Sequence, residues 1–383
     1  MGGNTKAINR DTGEVIALAQ KIDLSQIDRK VFTVEVRKLL YSLNQEYFKK
    51  TSEFLWSENL ISDSSLFSGT TKYLFDANIP DEEFIKYKPT VGDLDIMVER
   101  TKLPELFEFL ALIELYSITK NISYIGQNRK VCNNTQINAL FKYQDNIYFQ
   151  IDFEGIDFEN NRPNDFAYFS HSADWTDIKL GYKGVSHKLL LRNITKAISL
   201  NSNMTILTPA SSEDPKDKKF RIKKADGILR MLTFSVDRGL REKYRQVIDK
   251  KVDLPLKIGM NYVYKELPTS ESIYIVDIPK IFEILFKIPP TKEDLKLFRT
   301  FIGLVDLMKK YLQAKAVTTV YDFLIEDSLF GDNVQQISRD NWKEDYDVKV
   351  KIIQKLWLEF PFLQKFKEDT LKKMRNFYKN YGK

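Results

Sequence analysis

The stretch Gly92–Asp93–Leu94–Asp95–Ile96–Met97–Val98 constrains this chain more than any other. Acidic and apolar residues alternate along it, and a period of two belongs to a strand with one buried face. Asp93 and Asp95 then project from the same face, ~6–7 Å apart along the backbone, while Leu94, Ile96 and Val98 turn into a core. Two carboxylates held side by side repel each other. A divalent cation between them removes that cost, and hard oxygen ligands suit Mg²⁺ or Mn²⁺. Without a cation, the same triplet is an acidic strand end facing water.

Two further segments bear on that choice. Upstream, Ser68–Gly69–Thr70–Thr71–Lys72 places a glycine between hydroxyl residues ahead of a helix, where backbone N–H groups and hydroxyls can approach a phosphate. It also reads as an ordinary turn with a helix cap. Downstream, Ile147–Phe153 alternates again: Ile147, Phe149, Ile151 and Phe153 line one face, and Gln150, Asp152 and Glu154 line the other. That strand can bring Asp152 beside the first two acids. Asp157 and Glu159 repeat the same wording and compete for the role.

Composition narrows the chemistry. Cys132 is the single cysteine and His171 and His187 are the only histidines, which excludes a disulfide framework, Cys-rich zinc sites and a histidine-based metal centre. Any metal must therefore sit on carboxylates. With 59 Lys+Arg against 53 Asp+Glu the net charge is +6, compatible with nucleic-acid contact and equally with simple solubility. No charge-free run is long enough to cross a bilayer and no secretory leader is read, so a reducing cytoplasm and no membrane partner are expected.

The expected architecture is α+β: a polar lead-in over 1–30, a domain over 31–205 with a small mixed sheet and flanking helices, and a mainly helical domain over 206–383. Helices are read over Phe32–Trp56, after Thr101 as cap, and over Ser186–Leu200. Strands are read at 122–126, 136–143 and 147–153, a loop at Asn78–Thr90, and a linker at Thr208–Asp217. On the helix after Ser186, Lys188, Arg192 and Lys196 form one stripe, and His187 is read as a capping or surface residue. Residues 349–383 carry ten Lys/Arg against three Asp/Glu among seven aromatics. That mixture suits RNA or DNA binding, although aromatics at helical spacing more often pack a core.

A hydroxyl-flanked Gly turn, then Asp-x-Asp on a strand, then an acid on a later strand resembles the nucleotidyltransferase superfamily of DNA polymerase β, poly(A) polymerases and CCA-adding enzymes. Phe67–Ser68–Gly69–Thr70 matches its turn loosely, with Thr70 where Gly or Ser is usual. More narrowly, Phe67–Phe75, Lys88–Val98, Gly184–Arg192 and Phe234–Tyr244 resemble nucleotidyltransferase-like proteins of large tailed bacteriophages, which implies a host cytoplasm. The resemblance implies two metal ions on Asp93, Asp95 and Asp152, with Asp152 also taking a proton. It implies a triphosphate gripped by Ser68, the Gly69 N–H and Thr70, with Lys188 and Arg192 as further contacts and Arg238 and Arg241 as additional candidates. The expected activity moves a nucleoside monophosphate from an NTP to an acceptor hydroxyl, nucleic acid being one acceptor class. The competing expectation is a degenerate module of the same fold that binds nucleic acid or a host protein. Oligomeric state is not legible.

Overall fold

Both alternating segments are strands. In the computed structural model Asp93–Glu99 (β1), Ile122–Gln127 (β2), Gln136–Tyr143 (β3) and Ile147–Ile156 (β4) form one sheet in the order β1-β4-β3-β2. β1 runs parallel to β4, and the other neighbours are antiparallel. A parallel pair needs a long crossover, supplied here by the helix Leu103–Leu112 and the β2–β3 hairpin. The residues described are 6–8, 14–112, 122–127, 135–144, 147–171, 173–203, 207–209, 219–222, 228–247, 254–255, 264–266, 273–325 and 342–381. They fall into two compact units, Met1–Gly184 and Val185–Lys383. That division lies inside the segment the sequence assigns to the first domain.

In the first unit one face of the sheet is apolar throughout. Leu94, Ile96, Val98, Phe149, Ile151 and Phe153 are all fully buried in one core. The helix Arg29–Thr51 covers it: Asp28 caps its start by accepting from the Val31 N–H, and Ser52 ends it at φ 63°. Phe32 of that helix meets Tyr143 and Phe149 edge-on at 5.2 and 5.6 Å.

Three local expectations are corrected. The loop read over Asn78–Thr90 contains the helix Asp81–Tyr87, whose first turn holds Asp81, Glu82 and Glu83, with Pro80 just before it. Those acids favour a helix N-terminus, and Pro80 costs nothing there because its missing N–H lies outside the helical ladder. Thr101 lies within a 3₁₀ turn, Arg100–Lys102, that leads straight into the helix at Leu103, so it does not cap. The polar lead-in is partly built in: Ile22–Asp23 pairs with Thr90–Val91, and Ile22 and Leu24 are buried.

The second unit opens with the helix Gly184–Asn203, which buries Leu190, Ile194, Ala197 and Ile198 as its spacing predicts. A helical run follows from Ile278, in which Phe282 packs against Phe286, Phe298 and Tyr311. Trp357, Phe360 and Phe377 are buried, and Trp357 Nε1–H donates to the Tyr321 hydroxyl at 3.1 Å, so these aromatics pack a core. Of the stretch read as a linker, Thr208 and Pro209 lie in the strand Leu207–Pro209, paired with Lys219–Ile222; residues 210–217 and Cys132 lie outside the described residues. Among the described residues no helix is long and apolar enough to cross a membrane.

Candidate metal centre

The β1–β4 register sets Asp95 opposite Asp152 and Asp93 opposite Gln150. On the other side of β4, Asn138 of β3 stands opposite Asp152. Because side chains two apart share a face, all three acids rise from the polar side of the sheet. One carboxylate oxygen from each of Asp93, Asp95 and Asp152 lies within 4.8 Å of the others. Such a group of hard oxygen donors can hold a divalent cation.

Electrostatics agree with that use. Burial and the nearby Asp93 push the Asp152 carboxyl up to about 7, against the hydrogen bonds from Asn138 and Gln150 that favour its ionised form. Asn138 Nδ2 and Gln150 Nε2 both donate to Asp152 Oδ1 at 2.5 Å. Burial also raises Asp93, opposed by a hydrogen bond with Asp152 and by the charge of Lys88.

The Gly turn docks on the free edge of β1. Met97 N–H donates to Leu66 O at 2.8 Å, Ser68 N–H to Asp95 O at 3.1 Å, and Asp95 N–H to Thr71 Oγ1 at 2.9 Å. Gly69 has φ +55°, and a Cβ there would lie 2.2 Å from Asp95 Oδ2. Only glycine allows the turn to lie this close to the carboxylate. Two of the three phosphate contacts expected from this turn are already engaged: Ser68 Oγ donates to Glu154 Oε2 at 2.7 Å, and Gly69 N–H donates to the His171 carbonyl at 2.7 Å. Ser68 is buried and Thr70 half-buried.

Asp93, Asp95, Asp152, Ser68, Gly69 and Thr70 thus come together in the first unit. Lys188 (half-buried) and Arg192 (exposed) lie on the helix that opens the second unit. His187 is buried rather than at the surface, its Nε2 2.9 Å from the Phe298 carbonyl. Arg238 and Arg241 stack on Tyr274. The competing acid Asp157 is exposed and accepts from Arg100 Nε at 2.9 Å, outside the cluster. Sequence reasoning missed Asn138, Thr71 and His171. For Asn138 the available signal was its place two residues after Gln136 in a strand that continues with Ala139–Leu140–Phe141. The chain matches no family model, no curated protein and no solved structure.

Proposed function

We propose that the chain is a divalent-metal-dependent phosphoryl-transfer enzyme. Within that class we assign it to nucleotidyl transfer, moving a nucleoside monophosphate from an NTP to an acceptor hydroxyl. The observation that carries the reading is the convergence of three carboxylates from two parallel strands beneath a glycine turn that touches one of them. The donor set fits Mg²⁺ or Mn²⁺: oxygen only, three anions, with the remaining positions left to water and phosphate. When bound, such an ion supplies charge neutralisation on the triphosphate and lowers the pKa of an attacking hydroxyl.

The chain's own residues do the rest. Asp93 and Asp95 would hold the cation together with Asp152. Asn138 and Gln150 both donate to Asp152 Oδ1 and so restrain the carboxylate plane. Asp152 is the carboxylate placed to take the acceptor hydroxyl's proton. Thr70 is the turn residue left to touch a phosphate. Lys188 and Arg192 are not needed for these steps.

The test is pyrophosphate release from each of the four NTPs with Mg²⁺ or Mn²⁺ over a panel of RNA, DNA and protein acceptors, with Asp93→Ala alongside. Metal-dependent turnover that Asp93→Ala removes is expected. No turnover with any NTP, together with nucleic-acid binding unchanged in Asp93→Ala, would replace the enzyme with the binding module.

A further inference from the structure

Glu154 is the carboxylate that ought to belong to the cluster and does not. It follows Asp152 by two residues on the same face of β4, and its side chain is only 15% exposed. One of its oxygens, Oε2, accepts from Ser68 Oγ at 2.7 Å, and His171 Nδ1 lies 3.0 Å from the same atom with its side chain 7% exposed. His171 closes the loop through its backbone, whose carbonyl accepts from Gly69 N–H at 2.7 Å. Two residues distant in sequence, Glu154 and His171, thereby hold one turn against Asp95. A Cβ added at Gly69 would lie 2.2 Å from Asp95 Oδ2.

We infer that Glu154 and His171 are positioning residues that clamp the Ser68–Gly69–Thr70 turn against Asp95, and that Ser68 serves nucleotide binding through this clamp rather than by touching a phosphate. The assignment rests on the nucleotidyl-transfer reading for its nucleotide part. It divides the polar face of β4 into two jobs at adjacent same-face positions: Asp152 faces the cation, and Glu154 sets the distance between the cation's ligands and the turn that receives the triphosphate. The Ser68 hydrogen bond and the close His171 ring both engage Oε2, which turns this carboxylate towards the turn.

A double-mutant cycle tests it. Glu154→Gln and Ser68→Ala should each raise the KM for NTP about tenfold while leaving the Mn²⁺ affinity, read by electron paramagnetic resonance, within about threefold. Combined, they should be no worse than either alone, because both break the same clamp. Ser68→Thr, which keeps the hydroxyl, should restore the KM. Effects that multiply in the double variant would make Ser68 an independent substrate contact and overturn the inference. So would a Glu154→Gln protein that loses Mn²⁺ as Asp93→Ala does, since Glu154 would then be a ligand. Amide hydrogen exchange at Gly69 judges the clamp without turnover. It should quicken in Glu154→Gln and in Ser68→Ala while β3 stays protected, and unchanged exchange rejects the clamp even if the enzyme is active. If the native protein shows no turnover yet the Gly69 amide responds, the functional reading fails and the clamp stands.

Discussion

Two buried aspartates, one in each unit, are held in opposite ways. Asp294 starts the helix Lys292–Leu297 inside a capping box: Thr291 Oγ1 accepts from its N–H, and its own Oδ2 accepts from the Thr291 N–H. Lys310 Nζ donates to it at 2.8 Å and the Tyr311 hydroxyl at 3.0 Å. Burial would raise this carboxyl, but those donors together hold it well below the usual carboxylate range. Asp152 is about as buried, yet its donors are two neutral amides and its charged neighbour is another acid, Asp93. A carboxylate that serves the fold carries its countercharge with it. Asp152 instead belongs to a group of acids that could hold a cation.

The largest effect should come from removing a member of the cluster. Asp93→Ala is expected to lower turnover by roughly a thousandfold or more, about 4 kcal/mol of transition-state stabilisation, and to abolish the rise in melting temperature on adding Mn²⁺. In the native protein that rise should correspond to about 2.7 kcal/mol at a Mn²⁺ concentration a hundred times Kd. A protein that gains nothing from Mn²⁺ would put Asp152 in the same class as Asp294.

Next is a pair of matched substitutions with opposite signs. Asp294→Asn loses the charge-assisted bonds to Lys310 and half the capping box, and should destabilise by roughly 2–4 kcal/mol in denaturant melts. Asp152→Asn, measured without metal at pH 8, removes a repulsive charge and gives Asp93 a donor, and should be neutral or stabilise by about 1 kcal/mol. Equal destabilisation by both would erase the contrast.

The acid pair was legible before any coordinates because strands impose a period of two, and the runs at 93–96 and 149–153 keep it without a break. Register was not legible. Nothing in either segment says that β1 and β4 pair in parallel with Asp95 beside Asp152, since that is decided by the crossover through Leu103–Leu112 and by the apolar faces meeting Phe32. Asn138 was hidden because β3 is apolar on both sides of it, and a central strand buried on two faces loses its alternation. The helix at Asp81–Tyr87 was hidden by its prolines, although three acids after Pro80 marked its start. Asp294 was readable as Thr-x-x-Asp, a local signal that sequence reasoning passed over.

Acid and alkali should separate the two aspartates further. Asp152 has a folded pKa above its unfolded value, so between about pH 4 and pH 7 the folded state binds the extra proton. Its contribution is therefore present at low pH and lost as pH rises through about 7, and saturating Mn²⁺ should cancel the loss. Asp294 is lowered, so its contribution is present above the ordinary carboxylate pKa and lost as pH falls through its depressed folded value. Metal-free chemical denaturation across pH 3–9 should show both limbs. Asp294→Asn should remove the acidic one alone, and Asp152→Asn the neutral one alone.

The smallest effect expected is also the most selective. Asn138→Ala deletes one of the two amides on Asp152 Oδ1 and touches neither Asp93 nor the Gly turn. Because that hydrogen bond favours the ionised carboxylate, its loss should move the Asp152 carboxyl further up and shift the acidic limb of the pH–rate profile to higher pH. Mn²⁺ affinity should fall about tenfold, since the ligand plane loses one of its two restraints. The analogous deletion around Asp294, Tyr311→Phe, takes one donor from a carboxylate that keeps Lys310 and Thr291. It should cost only about 1 kcal/mol of stability and leave turnover alone. If Asn138→Ala behaved as Tyr311→Phe is expected to, moving stability and neither the pH profile nor the metal, then the amides at Asp152 would be supporting the sheet rather than aiming a ligand.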